Sequence, residues 1–275
     1  MIDDNQSHYS KLREKKLFLF DIDGTLALGD ELLPGTREVL NYLEEHGKSI
    51  YFTTNNSTRS GEDFVKYFAQ WGIRTREESF LTAGQMAILY CRERFADRKI
   101  FLLGTPSLRD ALIDAGLKIV ETYEEDIACV LVAFDTTLQY QKLADASRIL
   151  QDPNVKFIAT NPDLCCPTTF GAIPDCGSIC MMLENAVGRK PLYIGKPAPG
   201  IVRECCRRSG CSKKETVLIG DRLYTDILCA ENSGIDALIV FSGETTRNEA
   251  EETRLWIPYA MENMQKLADF FSDRN

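Results

Sequence analysis

Residues 16–26, with the sequence KLFLFDIDGTL, constrain the fold more than any other part of the chain. They begin with a short apolar run, which is typical of a parallel strand buried on both faces. The run ends at Asp21 and Asp23. Carboxylates two residues apart on extended backbone point the same way, and open α/β sheets bind ligands at the carboxyl ends of their strands. This stretch therefore predicts a buried strand with an active site at its end.

The same pattern of an apolar run followed by polar residues recurs along the chain. A strand predicted at 49–53 leads to Thr54 and Asn55, and one predicted at 216–219 leads to Asp221. Helical patterns separate these runs, so strand, loop and helix alternate. That alternation predicts an α/β fold with a Rossmann-like core around a parallel sheet.

The middle of the chain predicts a second α/β unit, inserted into the first. Its predicted strands and helices alternate at 83–94, 100–103, 107–115, 129–134, 140–150 and 155–160. We therefore predict a core formed by 1–82 and 190–275, which carries the predicted active site, and a second α/β domain inserted at 83–189.

Charge and hydrophobicity limit the partners of the chain. Its formal net charge is −9 at pH 7, which argues against nucleic acid polymers and anionic membranes as partners, because both attract clustered Lys and Arg. No apolar stretch reaches the length of a membrane span, and the polar start has no apolar signal core. We therefore predict a cytoplasmic protein. The ten cysteines include no CxxC pair, which favours reduced thiols over a zinc site.

The polar residues behind the predicted strands suit phosphoryl transfer through a covalent intermediate. Such a reaction needs a nucleophile, a proton donor for the leaving oxygen, a divalent metal and a cation facing the phosphate. Asp21 suits the nucleophile and Asp23 the general acid and base. Mg²⁺ suits the metal, since it prefers carboxylates, carbonyls and water.

The remaining parts of such a site also follow predicted strands. Thr54 and Asn55 offer a hydroxyl and an amide to phosphoryl oxygens, Lys196 offers a positive charge, and Asp221 and Asp226 would complete the metal site. Each residue also has a plainer interpretation. An acid after a strand often caps a helix, a lone lysine is usually solvated, and a Thr-Asn-Asn run often forms a turn.

Four motifs in order carry a family resemblance. They are Asp21-Ile22-Asp23-Gly24-Thr25, Thr53-Thr54-Asn55-Asn56-Ser57, Gly195-Lys196-Pro197 and Gly220-Asp221-Arg222-Leu223-Tyr224-Thr225-Asp226-Ile227. They resemble the motifs of the haloacid dehalogenase superfamily. The chain is most similar to subclass IIA, the NagD-like and 4-nitrophenyl phosphatases, whose large α/β cap is inserted between the second and third motifs. The resemblance covers nearly the whole chain.

The resemblance implies a Mg²⁺-dependent phosphatase acting on a small phosphorylated metabolite. It implies the following roles: Asp21 as nucleophile and metal ligand, Asp23 as general acid and base with its carbonyl on the metal, Thr54, Asn55 and Asn56 as phosphate contacts, Lys196 as charge stabiliser, Asp221 as metal ligand and Asp226 as support for the metal site. Caps in this family often take part in dimer contacts, which favours a homodimer formed through the cap.

Two cap loops are candidates for substrate selection. Asn161 and Asp163 follow a predicted strand, whereas Asp175, Gly177 and Ser178 come at the start of a predicted helix, whose first N–H groups would be free to bind a ligand. Many relatives carry Pro-Gly-x-Gly where this chain has Asp175 after the proline. The carboxylate of Asp175 would select among substrates, or it only caps the helix.

Three alternatives to a phosphatase differ in chemistry. A dehalogenase typically lacks the second aspartate, so Asp23 argues against it. A non-catalytic binding or regulatory module would not need every chemical residue that this chain retains. A phosphotransferase would use the same aspartyl-phosphate and differ only in the acceptor. The substrate itself, whether a sugar phosphate, a nucleotide or another metabolite, is left open.

Overall fold

The fold is described from a computed structural model, which covers residues 6–168 and 170–273. The strands, in chain order, are β1 Leu17–Phe20, β2 Ala27–Leu28, β3 Glu31–Leu32, β4 Ser49–Thr54, β5 Phe80–Thr82, β6 Lys99–Leu103, β7 Lys118–Val120, β8 Ile127–Val132, β9 Lys156–Ala159, β10 Cys165–Thr168, β11 Gly171–Pro174, β12 Leu192–Tyr193, β13 Thr216–Gly220, β14 Asp236–Val240 and β15 Tyr259–Met261.

Helices connect most of these strands. They are α1 Gln6–Glu14, α2 Thr36–Glu45, α3 Gly61–Gln70, α4 Ala83–Phe95, α5 Pro106–Asp114, α6 Tyr140–Ile149, α7 Cys176–Val187, α8 Gly200–Ser209, α9 Leu228–Ser233, α10 Arg247–Glu252 and α11 Met264–Ser272. A π-helical turn at Leu223–Ile227 precedes α9. Within the described ranges, no helix combines the length and apolar character needed to cross a membrane.

The chain forms two compact units. The first comprises the described residues of Met1–Thr54, Val65–Leu81 and Lys196–Asn275. In the part of it that the structure describes, a six-stranded sheet has the order β15-β14-β13-β1-β4-β5. Strand β1 lies at its centre and pairs in parallel with both β13 and β4. All four side chains of β1 are fully buried, which explains why this strand has no polar residue.

The second unit comprises Asn55–Phe64 and Thr82–Gly195. Its parallel sheet has the order β12-β9-β8-β6-β7. Every residue of β8 is buried, as expected for a strand covered on both faces. An antiparallel hairpin of β10 and β11 follows the sheet strand β9 and leads into α7.

The two units confirm the predicted α/β fold class. Their limits differ from the predicted boundaries of 1–82, 83–189 and 190–275, because 55–64 and 190–195 lie in the second unit. Strand β12 is part of that unit because Leu192 and Tyr193 pair with β9. Segment 55–64 is tied to it by the Ser57 hydroxyl, which accepts a hydrogen bond from the Phe134 N–H at 3.2 Å. The role of the second unit as a specificity cap stays a prediction.

Candidate active site

The sheet of the first unit brings the carboxyl ends of three strands together. Strands β13, β1 and β4 are neighbours. Asp221 directly follows β13, Asp21 directly follows β1, and Thr54 is the last residue of β4. All three residues are buried. Parallel strands all point to the same edge, so polar residues far apart in sequence meet there.

Lys196 lies at the centre of this edge and is almost completely buried, with 1% of its surface exposed. Its ammonium donates to Asp21 Oδ1 and to Asp226 Oδ1, each at 2.6 Å. A third bond, of 3.0 Å, goes to the carbonyl oxygen of Thr53. The lysine thus joins the end of β1, the end of β4 and the π-helical turn. The interpretation of Lys196 as a solvated surface residue is wrong, since a buried ammonium needs such partners.

The π-helical turn places Asp226 against the same edge as Asp221. The N–H groups of Asp226 and Ile227 both donate to the carbonyl of Arg222, at 3.0 and 3.2 Å. Asp226 Oδ2 in turn accepts from the Arg222 N–H at 3.2 Å. Turns of this kind are frequent at functional sites. Here the turn brings an acid five positions along the chain back to the end of β13.

A loop after β14 holds the carboxylate of Asp221. The Glu244 N–H donates to Asp221 Oδ2 at 2.8 Å, and the Thr25 hydroxyl donates to Oδ1 at 3.3 Å. Two glycines face the same carboxylate: a Cβ added to Gly24 or Gly243 would lie 2.5 or 2.0 Å from Asp221 Oδ2. Neither position accommodates a side chain without moving the acid. Sequence analysis assigned no role to these contacts.

Burial and crowding of like charges shift the pKa values of the site. Burial raises the pKa of Asp21 well above its ordinary value, Lys196 opposes that rise, and Asp226 and Asp221 add to it. Burial would lower the pKa of Lys196, but Asp21 and Asp226 outweigh it and raise that pKa. Burial, with a contribution from Asp226, raises the pKa of Asp221 to about 6. We conclude that Lys196 stays charged and that burial and crowding disfavour the ionised forms of Asp21 and Asp221.

The donor set fits a small divalent cation. Carboxylate oxygens of Asp21, Asp221 and Asp226 lie within 4.8 Å of one another, and all three residues are buried. Carboxylate oxygen is the donor that Mg²⁺ prefers in proteins. Gly24 and Gly243 pack closely against the Asp221 carboxylate, since neither carries a side chain. A cation would also offset the mutual repulsion that raises the pKa values of Asp21 and Asp221.

The other residues predicted for the core motifs follow strands β1 and β4 along the chain. Asp23 is half-buried just after β1, and Thr54 is buried at the end of β4. Asn55 is buried and belongs to the second unit. Asn56 is half-buried, and its Oδ1 accepts from the N–H and the hydroxyl of Thr58 at 2.9 and 2.7 Å. The turn predicted as a plainer interpretation of this segment is therefore present at Asn56.

The candidate cap residues form a buried polar group in the second unit. Asn161, Asp163 and Asp175 are all buried. Asn161 donates from Nδ2 to Asp163 Oδ2 at 2.8 Å and to Asp175 Oδ1 at 3.2 Å. Ser178 donates its hydroxyl to the carbonyl of Leu164 at 2.6 Å. All five candidates, Gly177 included, thus lie close together, after the end of β9 and at the start of α7.

One expectation about this helix start is wrong. The first N–H groups of α7 were expected to be free for a ligand. In the structure the Cys176 N–H donates to Asp175 Oδ1, and the Gly177 N–H donates to the carbonyl of Asp163 at 2.8 Å. A Cβ on Gly177 would lie 2.2 Å from the Pro162 carbonyl oxygen, so this glycine permits close packing. Asp175 is the N-cap of α7.

Comparison with known families agrees with this geometry. A family model described as haloacid dehalogenase-like hydrolase matches residues 18–118, and a HAD-hydrolase-like model matches residues 193–267. The first match contains Asp21, Asp23 and Thr54, and the second contains Lys196 and Asp221. Together the two models include both halves of the site described in the first unit.

Individual proteins are similar over most of the chain. An acid sugar phosphatase of Staphylococcus haemolyticus is 31% identical over 241 residues, which are 88% of this chain and 90% of that protein. A 4-nitrophenylphosphatase structure from Thermotoga maritima is 37% identical with a TM-score of 0.88, covering 94% of this chain and 98% of that one. A glycerol phosphate phosphatase structure from Mycobacterium tuberculosis, in complex with magnesium, is 26% identical with a TM-score of 0.85, covering 94% and 77%.

The first two relatives are more than 30% identical over at least 90% of their own length, which goes beyond a shared fold. The chain is therefore an enzyme, a phosphoric monoester hydrolase that belongs to the haloacid dehalogenase-like hydrolases and, within them, to the NagD-like and 4-nitrophenyl phosphatases of subclass IIA.

Proposed function

We propose that this enzyme hydrolyses a small phosphomonoester in a Mg²⁺-dependent reaction that passes through a phosphorylated Asp21. The observation that carries the proposal is the buried Lys196, whose ammonium is shared by Asp21 and Asp226 at 2.6 Å each. A buried lysine that bonds to a carboxylate orients it and favours its anionic form. That is what a carboxylate nucleophile requires.

The proposed reaction has two displacements at phosphorus. In the first, an Asp21 carboxylate oxygen forms a bond to phosphorus while the ester P–O bond breaks, and Asp23 gives its proton to the departing alkoxide. In the second, Asp23 accepts a proton from water as the water oxygen bonds to phosphorus. The Asp21–phosphorus bond then breaks, which releases inorganic phosphate and restores the carboxylate. Asp23 follows Asp21 by two residues, which allows it to act on both the leaving group and the water.

The metal site would be formed by Asp21, the backbone carbonyl of Asp23 and Asp221. Asp226 supports the site through Lys196 and the Arg222 N–H. Bound Mg²⁺ supplies positive charge that neutralises phosphoryl oxygens and the surrounding acids. The chain's own residues hold Asp221 ready for it, through the Glu244 N–H at 2.8 Å.

The phosphoryl oxygens would be held by Thr54, Asn55 and Asn56 together with Lys196. We propose further that residues 83–189 select the substrate through the segment that contains Asp175, Gly177 and Ser178, because the core residues contact only what every phosphomonoester shares. The named relatives act on sugar phosphate, glycerol phosphate and 4-nitrophenyl phosphate, so a small polyol or sugar phosphate is the proposed substrate class. A homodimer through residues 83–189 stays a prediction.

The proposal is tested with a panel of phosphate esters, in the presence of Mg²⁺, on three proteins. The parent should hydrolyse 4-nitrophenyl phosphate and at least one sugar or polyol phosphate. Asp21→Asn should lower kcat by more than about a thousandfold, because a neutral amide is not a nucleophile toward phosphorus. Asp30→Asn, the same change at an exposed residue of the first unit, is the matched control and should keep full activity.

Two outcomes would contradict the proposal. The first is turnover by Asp21→Asn at the level of the parent. The second is phosphate binding without turnover of any ester, which would favour the binding-module hypothesis. Transfer of the phosphoryl group to an added alcohol in preference to water would replace hydrolysis with the phosphotransferase alternative, since both use the same intermediate.

A further inference from the structure

The residue that follows Thr54 is bonded to the loop after β9. Asn55 donates from Nδ2 to Asp163 Oδ2 at 2.8 Å, and both side chains are buried in the second unit. The same Asp163 oxygen accepts from Asn161 Nδ2 at 2.8 Å. Two amides therefore meet at a single carboxylate oxygen. A buried carboxylate that accepts several N–H bonds is held firmly in place.

This arrangement gives the Asn55 amide one orientation. An ionised carboxylate only accepts hydrogen bonds, so Asn55 has to present Nδ2 to Asp163 and its Oδ1 to the opposite side. There the oxygen lies against Gly195, where an added Cβ would come within 2.8 Å of it. The Gly195 N–H donates to the Thr160 carbonyl at 2.7 Å, so Gly195 is held by the same loop that contains Asp163. The amide is thus oriented by charge on one side and by packing on the other.

We infer that Asp163 is a positioning residue that acts on the phosphate site through Asn55. The inference rests on the proposed function, in which Asn55 contacts the phosphate. It replaces the expectation that Asp163 contacts the leaving group of the substrate. Because the phosphate is common to all substrates, a residue acting through Asn55 changes the handling of every substrate alike.

A second consequence concerns Asn161, which shares the Asp163 oxygen. Asn161 is completely buried, and its Oδ1 accepts from the Thr160 hydroxyl at 2.7 Å. Both ends of this amide are therefore used within the loop. Asn161 holds Asp163 in place in the same way that Asp163 holds Asn55, and the loop 160–163 forms one continuous support.

The test compares the affinity for inorganic phosphate, measured by calorimetry and by product inhibition, with kcat/KM across an ester panel. The variants are Asp163→Ala, Asn55→Ala, the double variant and Asp163→Asn. Asp163→Ala should weaken phosphate binding about tenfold, the size of one lost hydrogen bond. It should lower kcat/KM for all esters by a similar factor. In the Asn55→Ala background the same change should have no further effect on phosphate binding.

Two further variants separate positioning from general stability. Asp163→Asn keeps a carbonyl oxygen that accepts from both amides, so phosphate affinity should stay within about threefold of the parent. Asp135→Ala is the matched control, since Asp135 is another buried aspartate of the second unit, bonded to Thr137 at 2.7 Å. It should lower the melting temperature and leave phosphate affinity unchanged.

The remaining outcomes overturn the inference. If Asp163→Ala reorders the ester ranking and leaves phosphate affinity unchanged, Asp163 is a substrate contact. If the effects of Asp163→Ala and Asn55→Ala on phosphate affinity are additive, Asp163 acts through the stability of the fold. The same follows if Asp135→Ala weakens phosphate binding equally. Calorimetry measures phosphate binding without turnover, so a parent that binds phosphate but hydrolyses no ester refutes the proposed function while the calorimetric arm still decides the inference. A parent that binds no phosphate refutes both.

Discussion

Replacing Gly243 with alanine should damage the site while leaving the fold in place. Gly243 lies in the loop after β14, beside Glu244, whose N–H holds Asp221 Oδ2 at 2.8 Å. A Cβ at position 243 would lie 2.0 Å from that same oxygen and 2.5 Å from Asp221 Cγ. The added methyl group and the carboxylate compete for the same space.

The size of the effect follows from these distances. Real Cβ atoms essentially never come closer than 3.0 Å to another heavy atom, so the carboxylate or the loop has to move by at least about 1 Å. A displacement of that size at a reacting group costs about a hundredfold in rate. We therefore expect Gly243→Ala to lower kcat/KM about a hundredfold and to raise the Mg²⁺ concentration needed for half-maximal activity.

The assay is hydrolysis of 4-nitrophenyl phosphate across a Mg²⁺ titration, with thermal melting of the same proteins in chelator. Gly210→Ala is the control, because Gly210 has φ of +70° and nothing within 4 Å of an added Cβ. It should cost stability through backbone strain and leave the Mg²⁺ dependence unchanged. The reasoning is refuted if Gly243→Ala keeps the parent's Mg²⁺ titration, or if Gly210→Ala shifts it equally.

Three other predictions concern the metal, the cap and pH. Excess chelator should silence hydrolysis and Mg²⁺ should restore it, with Ca²⁺ a poor substitute because of its larger, more flexible coordination; equal rates with and without chelator would contradict this. Asp175→Gly should reorder catalytic efficiencies across the ester panel and change 4-nitrophenyl phosphate turnover only a few-fold, whereas an unchanged ranking with a lower melting temperature would leave Asp175 only its capping role. Because burial raises the pKa of Asp221 to about 6, the metal-free folded protein keeps a proton there that the unfolded chain loses near about pH 4. Its stability should therefore fall as pH rises from about 4 to about 6 and then level off, and melts of Asp221→Asn should show a flatter dependence over this range than those of the parent.

The core of the site was predictable because it depends on backbone topology. Apolar runs that end in acids predicted β1 and β13, and the sheet order brings these strands side by side. The run of apolar residues and the position of the acid that follows it are enough to predict each of these two strands.

The remaining details depend on packing that a single sequence does not encode locally. Short elements such as the hairpin β10–β11 lack a distinct period, and no prediction was made for them. The contact of Gly243 with Asp221 joins residues 22 positions apart, and that of Asn55 with Asp163 joins residues 108 positions apart. No local pattern indicates such pairs. The prediction that the first N–H groups of α7 are free to bind a ligand was wrong for the same reason. The carbonyl that accepts from the Gly177 N–H belongs to Asp163, in the loop after β9.

The central claim is that Asp21 carries the phosphoryl group. Beryllium fluoride mimics a phosphoryl group on a carboxylate, and a crystal structure of the enzyme with Mg²⁺ and this compound tests the claim directly. We predict an adduct on an Asp21 carboxylate oxygen, with Lys196 still within hydrogen-bonding distance of the Asp21 side chain. An adduct on Asp23, or none on Asp21 at concentrations that abolish hydrolysis, would contradict the account.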